Sequence, residues 1–201
     1  MEEQKYPLLS EVREKKEKHG SLIYCSCYRS HSGMMFNSGE DLNITARRDG
    51  DSQNITLIEK EAFQDRRESK YVPKEDIMSE LEAFCEKENI AALRELVYHQ
   101  EYFATDVSNS RGISLWYDDS DVGGKKFLCC DIDLFAVCQQ DKNYGDRIEE
   151  TLISLLRKGI ADSVPVPAEK EPAAGWQCLS CGKKGNMGMF CMECGMAMGS
   201  K

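Results

Sequence analysis

The last 26 residues of the chain read WQCLSCGKKGNMGMFCMECGMAMGSK, and they constrain it more than any other stretch. Cys178-x-x-Cys181 and Cys191-x-x-Cys194 are separated by nine residues, and Gly182 and Gly195 follow the second cysteine of each pair. Each pair makes a tight turn that aims two sulfurs at one centre, and glycine relieves crowding where backbone amides turn toward the thiolates. Four sulfurs complete a tetrahedral zinc and leave no position for water, so the spacing predicts one structural Zn2+ held by these four cysteines. So short a segment cannot bury enough surface to fold alone, whereas a structural zinc contributes on the order of 10–16 kcal/mol. Trp176 and Phe190, just before their pairs, are the expected minimal core. A redox-active Cys-x-x-Cys or an iron centre accounts less well for two matched pairs with matching glycines.

Before this module runs SVPVPAEKEPAAG, with Pro165, Pro167 and Pro172 and no apolar period. It reads as a semi-extended tether. The sequence therefore divides into a charged N-terminal helix (1–20), an α+β domain (21–162), a Pro-rich linker (163–175) and a four-cysteine zinc ribbon (176–201). In the first, Leu8, Leu9 and Val12 offer a small apolar stripe and Gly20 a stop. SLIYCSCYRS then alternates, with Tyr24 and Tyr28 on one face and Cys25 and Cys27 on the other. Two further strands flank the Asp49-Gly50-Asp51-Ser52 turn, where Leu42, Ile44 and Ala46 share a face.

Pro73-Lys-Glu-Asp opens a helix with acids in its first turn. Ile77, Leu81, Phe84 and Cys85 recur at helical spacing, and Ile90, Leu93, Leu96 and Val97 continue after a break at Glu88-Asn89. GISLWYDD and KKFLCCDIDLF alternate as two more strands about Gly123-Gly124. A last helix, YGDRIEETLISLLRKGI, carries Ile148, Leu152, Leu155, Leu156 and Ile160 as its stripe. Strands, helix, strands and helix in that order predict an α+β fold, an antiparallel sheet with helices packed on one face.

The N-terminus is charged from its second residue and has no apolar run of signal-peptide length. No window approaches the ~18 apolar residues of a membrane span. A cytoplasmic, reducing setting is the expectation, where cysteines are metal ligands or buried thiols. The net charge is −9, yet Lys183, Lys184 and Lys201 against Glu193 give the ribbon +2, leaving −11 on the other 175 residues. So acidic a body repels phosphate backbones, and four thiolates on Zn2+ cancel the ribbon's own charge, so nucleic acid is a disfavoured partner.

Trp176, Cys178, Cys181, Gly182, Phe190, Cys191, Cys194 and Gly195 match one by one the pattern W-x-C-x-x-C-G…F-C-x-x-C-G. The segment thus resembles the C-terminal zinc ribbons of many bacterial proteins. It departs in lacking a proline inside either knuckle, where Leu179 and Met192 stand. The body, through Ser32-Gly33-Met34-Met35, ITARRDG, EDIMSELEAFCEKENI and GISLWYDD, resembles small bacterial proteins of uncharacterised function that join an α+β domain to such a ribbon. That resemblance implies a fold and no chemistry.

Other constellations have plainer readings. Cys25 and Cys27 lie about 7 Å apart on one strand face; with His31 they would make a second metal site, but small buried thiols are the commoner use. Cys129 and Cys130 point to opposite faces, and Cys85 and Cys138 read as core. Asp131 and Asp133, with Asp118, Asp119 and Asp121 in one turn, are potential acid–base or magnesium ligands, and solvated turn residues on the plainer reading. His19, His31 and His99 sit in unrelated contexts, and the Met-rich tail offers an adaptable apolar surface. The leading expectation is a zinc-binding, non-enzymatic protein-interaction module with a protein partner. A nucleic-acid-binding protein using the ribbon, and an enzyme using an acidic or cysteine site in the α+β domain, are the alternatives.

Overall fold

Alternating apolar and polar residues build a sheet, and the two segments with helical period fold onto one side of it. The computed structural model describes residues 6–15, 17–31, 39–98, 109–120 and 127–167. The chain divides into two compact units, Met1–Val166 and Pro167–Lys201. The four cysteines of the predicted ribbon and the Gly123-Gly124 turn lie outside the described residues.

In the first unit the order is α1 (Leu9–Glu14), β1 (Ser21–His31), β2 (Glu40–Asp49), β3 (Ser52–Lys60), β4 (Arg67–Pro73), α2 (Ile77–Glu88), a 3-10 turn (Ile90–Glu95), β5 (Asn109–Asp118), β6 (Leu128–Asp133), α3 (Leu134–Gln140), α4 (Lys142–Ala161) and β7 (Ser163–Val166). The strands form one sheet in the order β6-β5-β1-β2-β3-β4-β7, with every neighbouring pair antiparallel. The α+β class and the antiparallel sheet are as the sequence predicts.

Register carries the core across the sheet. Cys25 pairs with Ala46 and Leu115, and Cys27 with Ile44 and Ile113. Ala46 continues to Ile55, and Leu115 to Cys130. All of these are buried, and together they form the floor on which the helices lie. α2 contributes Ile77, Met78, Leu81 and Cys85, and α4 contributes Ile148, Leu152 and Leu156. The layers meet closely at Gly159, where a Cβ would stand 2.7 Å from Ile55 Cδ1 and 3.1 Å from Ile77 Cγ1.

Helix ends are fixed by local carboxylates. Asp76 caps α2 by accepting from the Ser79 amide at 3.0 Å, and also receives Gln53 Nε2 at 2.6 Å and Arg48 Nη2 at 3.0 Å. These donors, Ser79 foremost, hold its carboxyl well below the usual range. Asp141 caps α4 through the Tyr144 amide at 3.0 Å. α2 ends at Asn89, in the left-handed region at φ 53°, which asparagine tolerates.

Three details differ from the sequence reading. Of the helix expected over 1–20, the described residues are helical over Leu9–Glu14, and Lys15 is extended. Six residues are too few for a helix to persist unaided, and this one is docked: Leu9 and Val12 are buried, and Asn89 Nδ2 donates to the carbonyls of Val12 and Arg13 at 3.3 and 3.2 Å. Pro73 closes β4, so α2 opens later in the chain, behind Asp76. Residues 163–166, at the head of the expected linker, form β7 and pair with β4. Proline is tolerated on such an edge strand.

Candidate functional site

The cysteines of the body resolve first. Cys25, Cys27, Cys85 and Cys130 are buried, Cys138 is half-buried and Cys129 is exposed; all six are free thiols. A hydrogen bond to Cys85 and burial push the Cys25 thiol well up. Burial, then the nearby Glu149 carboxylate, do the same to Cys27. These environments disfavour the thiolate that metal binding or nucleophilic attack requires. Among the described residues no group of three or more His, Cys, Asp or Glu is arranged to hold a metal ion. His31 turns its Nδ1 to Asn109 Oδ1 rather than toward Cys25 or Cys27.

The acidic residues are engaged with their own neighbourhood. Asp131 accepts from Ser114 Oγ at 2.7 Å, and Asp133 caps α3 by accepting from the Phe135 amide at 2.8 Å. Asp118 accepts from the Ser120 amide at 3.1 Å and Asp119 from the Gly20 amide at 2.7 Å. His19 stacks on Tyr117 with ring centroids 4.7 Å apart. Asp121, His99 and the methionine-rich tail lie outside the described residues.

Two arrangements escaped the sequence reading. The first is an ion-pair cluster between sheet and α4. Arg29 and Arg111 are register partners on β1 and β5, and both reach Glu149, which is only 1% exposed. Arg29 donates Nε to Oε1 at 3.0 Å and Nη2 to Oε2 at 2.9 Å, while Arg111 Nη2 reaches Oε2 and also Asp146 Oδ1 at 2.8 Å. Lys142 completes the chain at Asp146. The Glu149 backing lifts Arg29 above its ordinary value. The cluster clamps α4 to the sheet.

Hydrogen bonds from Lys142 and Arg111 pull the Asp146 carboxyl down to about 2. A carboxyl lowered by folding stabilises the native state above its ordinary value near 4, and that contribution fades as pH falls toward about 2. Asp146→Asn is therefore expected to flatten the acid limb of the stability profile across that window. Urea unfolding at several pH values checks this, and an unchanged limb would contradict it.

The second arrangement is the sheet face opposite the helices. Tyr24 and Trp116 are cross-strand neighbours on it and stack with centroids 4.6 Å apart; Trp116 is 44% exposed. Beside them Ser26, Asn43 and Thr45 bond one another: Ser26 Oγ donates to Asn43 Oδ1 at 2.9 Å, and Thr45 Oγ1 to Ser26 Oγ at 3.3 Å. Tyr28 lies across Gly112, where a Cβ would run into its ring. At the far side Val72 and Val164, register partners on β4 and β7, are 47% and 55% exposed. The signal for this face is present in the alternation itself: a half-buried strand places polar residues outside, and aromatic residues in those positions are the exception to ask about.

Cys129, next to Trp116 in register, is the exposed body thiol. Partial desolvation and the Asp131 carboxylate raise it above its ordinary value. Among the body cysteines it is expected to be the one that reacts readily with an aromatic disulfide reagent in dilute native protein, with an optimum shifted to higher pH. Loss of that fast phase in Cys129→Ser checks the assignment, and its persistence would contradict it.

Comparison with protein-family models, with curated proteins and with solved structures yields no match to this chain.

Proposed function

We propose that this is a zinc-binding interaction protein that acts by contact rather than turnover, with the open sheet face of its α+β unit as the contact surface. The observation that carries the reading is the stack of half-buried Tyr24 on exposed Trp116, on a face whose small polar side chains Ser26, Asn43 and Thr45 already bond each other. Those three side chains lose less on being covered than free hydroxyls and amides would, and aromatic residues are what binding surfaces hold in excess. The helix-side thiols and acids serve packing, capping and ion pairing instead. The second module is a ribbon in which Cys178, Cys181, Cys191 and Cys194 hold one structural zinc. Its support is the spacing of those cysteines and the glycines that follow them. A protein partner is the class proposed, since the body's charge of −11 disfavours nucleic acid.

The test is a photo-crosslinking phenylalanine analogue placed at position 116, compared with the same analogue at Glu150 on the outer side of α4. A protein adduct formed in cells from position 116 and not from 150 is expected. Equal or absent adducts at the two sites would sink the reading.

A further inference from the structure

We propose that the occupant of the open sheet face is a second copy of this chain, the two sheets packing face to face into a symmetric sandwich. The proposal rests on the reading that this face is a contact surface, and it names the partner. The size of the face suits a second copy. Six interstrand spacings and strands of about 25 Å give the face roughly 700 Å2 in projection, close to the ~800 Å2 per partner of a stable interface. Its centre is Ser26, Asn43, Thr45 and Thr56, short enough to let sheets approach to the usual ~10 Å.

Complementarity comes from the strand order. In β6-β5-β1-β2-β3-β4-β7 the middle strand is β2, so a twofold axis along β2 lays each half of the sheet over the opposite half of the second copy. Tyr24 and Trp116 stand in one cross-strand row with Arg47 and Asn54. That row continues one residue beyond the Ile55–Tyr71 pair to Val72 and Val164. The axis therefore sets Trp116 of one copy over the exposed Val72 of the other, Cys129 over Val164, and Tyr24 over Asn54. Two rows along, Tyr28, Asn43 and Ile58 share a row, so Tyr28 meets Ile58 across the interface. In the row between, Asp131 on β6 and Lys70 on β4 lie on opposite sides of the axis and come within one strand of each other across the interface. Trp116 with Val72 and Tyr28 with Ile58 thus match aromatic to aliphatic side chains across the axis, each contact made twice, as an isologous interface requires.

Like charges oppose the arrangement: Asp41 on β2 faces its own copy, and Glu68 and Asp133 share a row on opposite sides of the axis. Arg47 is exposed and lies on the axis, facing its own copy. Like charges there weaken association at low salt. The proposal accordingly predicts a dimer that tightens with added salt and tightens again in Arg47→Ser.

The experiment is sedimentation velocity on the full zinc-loaded chain across a wide concentration range, together with the crosslink from position 116. A concentration-dependent dimer is expected, with a crosslinked adduct of twice the chain mass. Trp116→Asp should weaken the dimer at least ~30-fold, as removal of a central aromatic anchor does, and Ile58→Lys should do the same from the other half of the face. Unchanged circular dichroism in both variants shows that the fold is kept. A monomer at every concentration, or a dimer indifferent to Trp116, Ile58 and Arg47, overturns the proposal. An adduct of another mass from position 116 also overturns it, while leaving the contact-surface reading intact; loss of all adducts there removes both.

Discussion

Glu149→Ala is expected to destabilise the α+β unit by about 3 kcal/mol, because it leaves the charges of two arginines without the carboxylate they share. The cost falls unequally. The Arg29 side chain is 51% exposed and regains water, whereas Arg111 is 19% exposed and keeps only Asp146, a partly exposed partner. Glu149→Gln keeps the volume and one acceptor oxygen, so it should cost less than the alanine change. Glu149→Leu combined with Arg111→Met, which replaces the pair with apolar groups, should recover part of the loss. The difference between single and double changes is the coupling across the sheet–helix seam. Denaturant unfolding measures all of them. A Glu149→Ala loss below about 1 kcal/mol would be in the range of a surface ion pair and would show that the carboxylate does not clamp α4.

The sequence made the helix bearing this cluster legible without making the cluster so. Ile148, Leu152 and Leu156 announce the buried stripe of α4, and they are buried. Glu149 stands inside that stripe, next to Ile148 and three residues before Leu152. A carboxylate in a buried position demands cationic partners, which is a signal the period alone passes over. The partners themselves are remote, Arg29 120 residues away and Arg111 38, and only the sheet register brings them side by side.

The strands divide in the same manner. β1, β2, β3, β5 and β6 alternate because one face is buried beneath helices, and their core residues read off directly. β4, RESKYVP, has no buried residue, and β7 is exposed along most of its length. Neither carries the burial contrast that alternation reports. Their pairing is a property of the sheet edge rather than of their own sequences. The open face sits between these cases: Tyr24, Tyr28 and Trp116 were placed on strands by their neighbours, but their assembly with Val72 and Val164 needs the order of all seven strands.

Zinc removal should have the other large effect, and it should be confined to one unit. The intact chain is expected to carry one zinc, and Cys178→Ser with Cys181→Ser to carry none, since two remaining thiolates cannot complete a tetrahedral site. The chain has two tryptophans, Trp116 and Trp176. In a Trp116→Phe background the fluorescence therefore reports the ribbon alone, and chelation should shift it to that of a solvated indole. Binding energy on the order of 10–16 kcal/mol is folding energy for so short a segment, so no folded ribbon should survive chelation. Thiolate ligation also releases protons, so affinity should fall as pH falls. The body's far-ultraviolet dichroism and urea midpoint should stay where they were, because its core is built from Cys25, Ile44, Leu81, Leu152 and their neighbours, with no metal-holding group among the described residues. Zinc that remained after loss of Cys178 and Cys181 would contradict the four-cysteine assignment. A body that unfolded with the chelator would contradict the independence of the two units.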